Sequence, residues 1–218
     1  MRKLIVSALC LAGSLAGGAR PAVAQSMPAP NDACVAEIQA VLARMRDAGP
    51  QRHVEEMTST GQSERRTSVY AMPLGLSVEI KRTLGEGAAA RVMSSHVIVV
   101  APRVWRMVEG AWAEVEAGEA AKVVEGVRAA HARMAEIDAS EARCDGADTV
   151  DGAPVKVYTF SQLFMFMAAS GVTVTKVFIS AEGRPVRIDS NSKMADQVTV
   201  RRNVITYDPS IRVEPPLR

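Results

Sequence analysis

The side chains best suited to acid–base or metal chemistry are three histidines, and none lies in a recognised pattern. His53, His96 and His131 are far apart in the sequence, with no His-Glu-x-x-His, Cys-x-x-Cys or Gly-x-Ser-x-Gly motif around them. His53 is followed by Glu55 and Glu56, but a solvated strand edge explains that segment more simply. The sequence therefore predicts no catalytic residue, no metal site and no cofactor.

Two arginine pairs could bind an anionic group. Arg65-Arg66 and Arg201-Arg202 occur in segments with strand composition. Because neighbouring strand residues point to opposite faces of a sheet, one member of each pair can face inward. An inward guanidinium in an apolar concavity could hold a carboxylate or phosphate head group. A surface position is the simpler alternative for all four side chains.

A tryptophan hairpin is predicted between residues 104 and 115. A two-residue turn at Glu109-Gly110 would pair Met107 with Trp112 and place both on the same face as Trp105. The opposite face of the hairpin is also largely apolar. One face could pack on a helix while the other lines a ligand cavity. A core hairpin covered on both sides is an equal alternative.

The phenylalanines are confined to one region. All four lie between residues 160 and 178, and the run 160–169 mixes them with adaptable methionines. The run predicts either a mobile flap over an apolar pocket or a core strand or short buried helix. Copper(I) binding by Met165 and Met167 is disfavoured because no His or Cys is near them. The predicted ligand contacts here are Phe160, Phe164, Phe166 and Phe178.

The N-terminus has the pattern of a secretory signal peptide. Arg2 and Lys3 precede a mostly apolar run, and Ala22-Val23-Ala24 supplies small residues where a signal peptidase cuts. We expect cleavage before Gln25, a periplasmic (secreted) product, and a single domain over residues 25–218.

Composition excludes two classes of partner. Cleavage would lower the count of Lys and Arg from 26 to 23 against 24 acidic residues, for a net charge near −1. No basic footprint for nucleic acid remains. The longest apolar run of the mature chain, residues 163–169, is far shorter than the roughly 20 residues of a membrane-spanning helix. The sequence predicts a chain that binds no nucleic acid and does not span a membrane.

Cys34 and Cys144 are the two cysteines that follow the predicted signal. An even pair in an oxidising compartment predicts one disulfide. Two separate buried thiols are the alternative.

The order of elements predicts the fold class. A helix is expected over Asp32–Ala48, ended by Gly49-Pro50, and a longer one over Glu119–Ile137. Segments rich in β-branched residues, separated by glycine turns, predict antiparallel strands between and after them. The last of these are 198–207 and 212–214. The sequence predicts an α+β domain with a large antiparallel sheet.

Two closing segments carry a family resemblance. Residues 183–188, Gly-Arg-Pro-Val-Arg-Ile, and residues 207–215, which run from a Tyr through Ile211 and Val213 to a Pro, are similar to the ending of the periplasmic lipoprotein-carrier (LolA-like) superfamily. Together with the element order, the resemblance covers most of residues 32–216. It implies a curved antiparallel β half-barrel, covered by the N-terminal helix and the central long helix, whose concave apolar side holds acyl chains. No functional residue of the family can be matched to a position in this chain.

These observations favour an exported, non-catalytic binding protein. It would be a carrier or sensor of lipid, lipoprotein or another hydrophobic ligand, with a hydrophobic ligand or a lipidated protein as its partner. The alternative is an envelope structural or protein-interaction module that docks an envelope protein and binds no small ligand. An enzyme of unrecognised type would need His96 or His131 beside carboxylates in a pocket.

Overall fold

The computed structural model describes residues 32–45, 47–71, 75–133, 139, 141–166 and 169–216. The predicted signal peptide and its cleavage site before Gln25 lie outside these residues, as do residues 134–137 at the end of the predicted second helix. Among the described residues, no helix is both long and apolar enough to cross a membrane.

The first helix, α1, spans Asp32–Met45 and begins where the sequence predicts. Its buried side chains recur every three or four residues, which gives the helix one apolar stripe. The helix ends three residues before the predicted end, and Gly49 then takes a positive φ of 90° that suits glycine. The buried residues of the stripe are Cys34, Ile38, Val41, Leu42 and Met45.

Six strands and a second helix follow, and five strands complete the chain. The first set comprises β1 (Gln51–Ser59), β2 (Gln62–Ala71), β3 (Gly75–Leu84), β4 (Arg91–Val100), β5 (Arg103–Val108) and β6 (Ala111–Glu114), with a short 3-10 turn at Gly87–Ala89. Helix α2 spans Ala117–Arg133. The second set comprises β7 (Arg143–Val150), β8 (Ala153–Phe166), β9 (Ala169–Ile179), β10 (Pro185–Met194) and β11 (Gln197–Tyr207).

All eleven strands form one antiparallel sheet in the order β6-β5-β4-β3-β2-β1-β11-β10-β9-β8-β7. Consecutive strands pair from β1 to β6 and from β7 to β11, and β1 also pairs with β11 along the line where the two sets meet. The sheet is not closed, because β6 and β7 form its two edges. The molecule is therefore a curved α+β half-barrel, as the sequence predicts, and α2 connects one edge to the other.

Each helix packs on a different part of the sheet. Helix α1 buries its stripe against Tyr158 and Phe160 of β8 and Val177 and Ile179 of β9. Glu116 precedes helix α2, and its carboxylate accepts a hydrogen bond from the amide of Gly118 at 2.9 Å. The helix buries Ala120 and Val124 against Val99 and Val104. Each helix therefore covers its own apolar cluster, and a third cluster of Val155, Val157 and Phe178 lies elsewhere on the sheet.

A disulfide joins Cys34 to Cys144, as predicted, with a Cα–Cα distance of 5.6 Å. Cys34 lies in the first turn of α1 and Cys144 near the start of β7, so the bond ties α1 to one edge of the sheet.

The predicted strand at residues 212–214 is wrong. Residues 208–216 form no strand, and β11 offers them no free edge because it pairs on one side with β1 and on the other with β10. The tail instead passes over the start of β3. A Cβ added at Gly75 would lie 2.8 Å from the Cβ of Val213, so this crossing leaves room only for glycine.

Candidate ligand-binding trough

The cross-strand register assigns every side chain to one of two faces, because directly paired residues of an antiparallel sheet share a face. Tyr158 pairs with Val177, Val177 with Ile188, and Ile188 with Asn203. The same face continues across β1 to β5, where α2 packs. Both helices thus lie on this side, the helix face. We call the other side the open face.

The two helices leave part of the helix face uncovered. Helix α1 packs on β7 to β10, and α2 packs mainly on β4 and β5. Met57 of β1 and Val78 and Ile80 of β3 are on the same face and remain partly exposed. We call the helix-face surface of β11, β1, β2 and β3, which lies between the clusters that the two helices cover, the trough.

The trough combines apolar side chains with charge. Its partly exposed apolar residues are Met57, Tyr70, Leu76, Val78, Ile80 and Leu84. On the same four strands the helix face has three basic and two acidic residues, a surplus of one positive charge. These charged residues are Arg66, Arg82, Arg201, Glu55 and Glu64.

An arginine pair around one buried carboxylate lies near the centre of the trough. The Glu64 side chain is only 3% exposed. Arg82 donates to Glu64 Oε2 from Nε at 2.9 Å and from a terminal nitrogen at 2.5 Å, and Arg66 donates to Oε1 at 3.1 Å. The buried Nε of Arg66 has no hydrogen-bond partner among the described residues. Glu55 lies directly across from Arg66 on β1, so two carboxylates match the two guanidiniums in charge, and the unpaired Arg66 Nε is the donor left for an anion.

A second polar group, centred on His53, lies beside the arginine pair, and its side chains already hydrogen-bond one another. His53 Nδ1 is 3.1 Å from the Asn203 amide nitrogen, and His53 Nε2 is 3.1 Å from Gln51 Oε1. The Tyr70 ring meets the imidazole edge-on, with centroids 4.9 Å apart. Burial lowers the pKa of His53 to about 4 and raises that of Tyr70. His53 is therefore neutral and held by hydrogen bonds on both sides.

Most of these residues carry no motif that would identify them in the sequence. The expected solvated strand edge at His53 is wrong, because β1 is a central strand with β2 on one side and β11 on the other. Of the pair Arg65-Arg66, for which either face is possible from the sequence, the register puts Arg66 in the trough and Arg65 on the open face. The period-two alternation of Glu64, Arg66 and Ser68 was the available signal. Glu64 was overlooked because an acidic residue in a strand is usually exposed.

The tryptophan hairpin forms with the predicted register. Met107 pairs with Trp112, and Val108 pairs with Ala111. Val104 packs under α2, so one face of the hairpin does lie on a helix. The other face, with Trp105, is on the open face and away from the trough.

Local contacts occupy the aromatic side of this hairpin. The Arg103 guanidinium stacks over Trp105 at 4.8 Å, and Trp105 is buried. His96 meets Trp112 edge-on at 4.8 Å and hydrogen-bonds through Nε2 to Ser77 Oγ at 2.9 Å. His96 is thus on the open face, outside the trough.

The four phenylalanines do not share one surface. Residues 160–166 belong to the long strand β8, but they are not a core strand throughout, because Phe160 is buried whereas Leu163 is 84% exposed. Phe160 lies under α1, and Phe164 covers Gly171 on the helix face. Phe178 is on the open face, where the Arg187 guanidinium stacks over it at 4.6 Å. The side chain of Phe166 lies outside the described residues.

Within the part of the chain that the structure describes, no group of three His, Cys, Asp or Glu residues could hold a metal ion. The trough thus combines partly exposed apolar side chains with an arginine pair around a buried carboxylate.

Comparison of the sequence with protein-family models and with characterised proteins finds no match. Comparison of the structure with solved structures does find matches. The fold is similar to that of LprF from Mycobacterium bovis, with a TM-score of 0.52, 10% sequence identity, and coverage of 86% of this chain and 98% of that one. Weaker matches are the hypothetical protein CT021 from Chlamydia trachomatis (TM-score 0.36, 6% identity, 81% and 96% coverage) and the S-type phycobiliprotein lyase CPES from Guillardia theta (TM-score 0.22, 9% identity, 79% and 98% coverage). The chain thus has the LolA-like half-barrel fold that the resemblance implies.

Proposed function

We propose that the protein is an exported, non-catalytic binding protein, a carrier or sensor of a lipid or a lipidated protein in the periplasm. The observation that carries the proposal is the trough, where partly exposed apolar side chains adjoin an arginine pair with unused donors. An amphipathic ligand matches both parts. Its acyl chain lies along the apolar floor, and its acidic head is held by Arg66 and Arg82.

Acyl burial supplies most of the affinity in this proposal. Each methylene removed from water contributes about 0.8 kcal/mol, so a long chain needs few polar contacts. The head group adds specificity, because a guanidinium donates two parallel hydrogen bonds to a carboxylate or phosphate. A neutral head group leaves these donors unmatched.

Export and the lack of catalysis are parts of the same proposal. The signal-like residues 1–24 support export, and the Cys34–Cys144 disulfide is typical of an oxidising compartment. His53 has both ring nitrogens engaged and a pKa lowered to about 4, so it is poorly suited to proton transfer near neutral pH.

The test begins with protein purified from the periplasm, examined by native mass spectrometry and by lipid extraction. A co-purified lipid, together with saturable uptake of a fluorescent fatty acid, is the expected result. A ligand-free protein that takes up no fatty acid would refute the proposal and favour the interaction module that binds no small ligand.

A matched pair of variants locates the site. Arg66→Met removes one of the two guanidiniums that bind Glu64, and Arg82 still pairs with that carboxylate. We expect fatty-acid affinity to fall about tenfold, as for loss of one charge-assisted hydrogen bond, with little change for the corresponding alcohol. Arg65→Met changes the neighbouring residue on the open face and should leave both affinities as they were. Equal effects of the two variants would place the ligand elsewhere.

A further inference from the structure

The open face has a cluster of exposed aliphatic side chains at one end of β8–β11. Leu163 is 84% exposed and Val200 is 50% exposed, and three further valines lie between them. Isolated exposed apolar residues are ordinary, but a contiguous patch marks an interaction surface. The five members of this aliphatic patch are Leu163, Val172, Val174, Val198 and Val200.

The register shows that these residues are contiguous. Leu163 pairs with Val172, and Val172 pairs with Lys193, which in turn pairs with Val198. This first row crosses all four strands.

A second row lies two residues further along each strand. Val174 pairs with Asn191, and Asn191 pairs with Val200. Two residues of a strand span about 6.6 Å, so the two rows form a continuous band that contains three polar side chains, Ser161, Asn191 and Lys193.

A charged row borders the band. Lys176 pairs with Asp189, and Asp189 pairs with Arg202. The Asp189 carboxylate is already bound by Arg187 and lies 3.4 Å from Arg202 Nε. A shallow groove of about 340 Å³ runs between the valines and this row. Across the three rows of β8–β11 there are three basic residues and one acidic residue.

The position of Lys193 decides between a protein and a lipid partner. It is exposed and sits between Val172 and Val198, inside the apolar band. The centres of protein–protein interfaces are depleted in lysine, because docking would strip water from the ammonium. At a bilayer surface the same side chain lays its stem along acyl chains and extends its ammonium to a phosphate.

We propose that this end of the open face docks on an anionic lipid bilayer. The aliphatic patch enters the boundary between head groups and acyl chains, while Lys193, Lys176 and Arg202 contact lipid phosphates. The surface lies on the face opposite the trough, so it is separate from the ligand site proposed above and does not depend on it.

The test is co-sedimentation with vesicles of phosphatidylcholine alone and of phosphatidylcholine mixed with phosphatidylglycerol. The protein is the chain from Gln25, which contains every described residue and lacks the apolar N-terminal segment. We expect binding to the anionic vesicles that weakens with salt. The double variant Leu163→Gln, Val200→Thr should lower the partition coefficient about tenfold or more.

Two further variants make the test specific. Val92→Thr with Met93→Gln changes two other exposed apolar residues, 71% and 56% exposed, and should leave vesicle binding unchanged. Lys193→Gln should weaken binding to the anionic vesicles and leave the weak binding to neutral vesicles as it is. All three variants alter exposed side chains, and thermal unfolding should show that each remains folded.

Three results would overturn the proposal. The first is no binding to either vesicle. The second is equal loss of binding in the patch variant and in the Val92/Met93 control. The third is a dimer that forms without vesicles and is lost in the patch variant, which would assign the patch to a second copy of the chain. Fatty-acid uptake by the same variants reports on the trough alone, so the two proposals can fail separately.

Discussion

Loss of the Cys34–Cys144 disulfide should cost more stability than any exposed substitution in this chain. The bond closes a loop with a sequence separation of 110 residues. In the chain-entropy model, a loop of that length raises the free energy of unfolding by about 5 kcal/mol, because the unfolded chain has fewer conformations. A domain of this size has a total stability of roughly 5–15 kcal/mol, so the bond supplies a large share of it.

The structure indicates which part loosens first. Helix α1 is joined to the sheet by the disulfide, by the apolar cluster under its stripe, and by polar contacts that include an exposed Glu37–Lys156 ion pair. Replacement of both cysteines by alanine leaves that cluster largely intact, since Ile38, Val41 and Leu42 are unchanged. We expect the double variant to fold, with α1 undocking at lower denaturant than the wild-type helix.

Urea unfolding of the oxidised protein, of the protein reduced by dithiothreitol, and of the double alanine variant measures the effect. The reduced protein and the variant should agree with each other and fall several kcal/mol below the oxidised form. Limited proteolysis should then cut first at the end of α1. If the free energy of unfolding falls by less than about 1 kcal/mol in both the reduced protein and the variant, the entropy argument is refuted. Alkylation of two free thiols in the native protein would show that the bond does not form.

Two further predictions concern single residues. Burial lowers the pKa of His53 to about 4, against about 6.5 in the unfolded chain, so its contribution to stability is full above about pH 6.5 and is lost as the pH falls toward 4. The pH-dependent part of the free energy of unfolding is up to about 3 kcal/mol. His53→Gln should make the free energy of unfolding, measured with urea, less dependent on pH over that interval. Wild-type and variant curves of stability against pH that run parallel would contradict the lowered pKa of His53. Gly171→Ala would place a Cβ into the Phe164 ring and 2.8 Å from the Lys193 carbonyl oxygen, so we expect a loss of about 1–3 kcal/mol in thermal unfolding, whereas Gly126→Ala on α2 meets nothing within 4 Å and should not destabilise.

Local patterns predicted the local structure well. The spacing of Ile38, Val41 and Leu42 gives α1, and the turn at Glu109-Gly110 gives the register of the tryptophan hairpin. Both depend on residues close together in the chain, where periodicity and turn chemistry are sufficient.

The trough could not be predicted in the same way. Its residues become neighbours only because β1 pairs with β11, and no local pattern specifies a contact between the ends of the chain. That pairing makes β1 central, which buries His53 where the sequence suggested an edge. It also decides which face of each strand meets the helices, and so separates Phe178 and Trp105 from the trough.

The pairing of β1 with β11 also affects how the chain can be made. A chain synthesised from its N-terminus completes β1 to β6 first, and β1 then remains an open strand edge until the last strand arrives. Contacts between distant parts of a chain form slowly, so this edge is exposed for most of synthesis and folding. A premature stop that removes β11, an 11-residue strand, would not shorten the sheet at its margin. It would divide the sheet at its centre into two parts, each with one helix and a newly exposed strand edge, β1 in one part and β10 in the other.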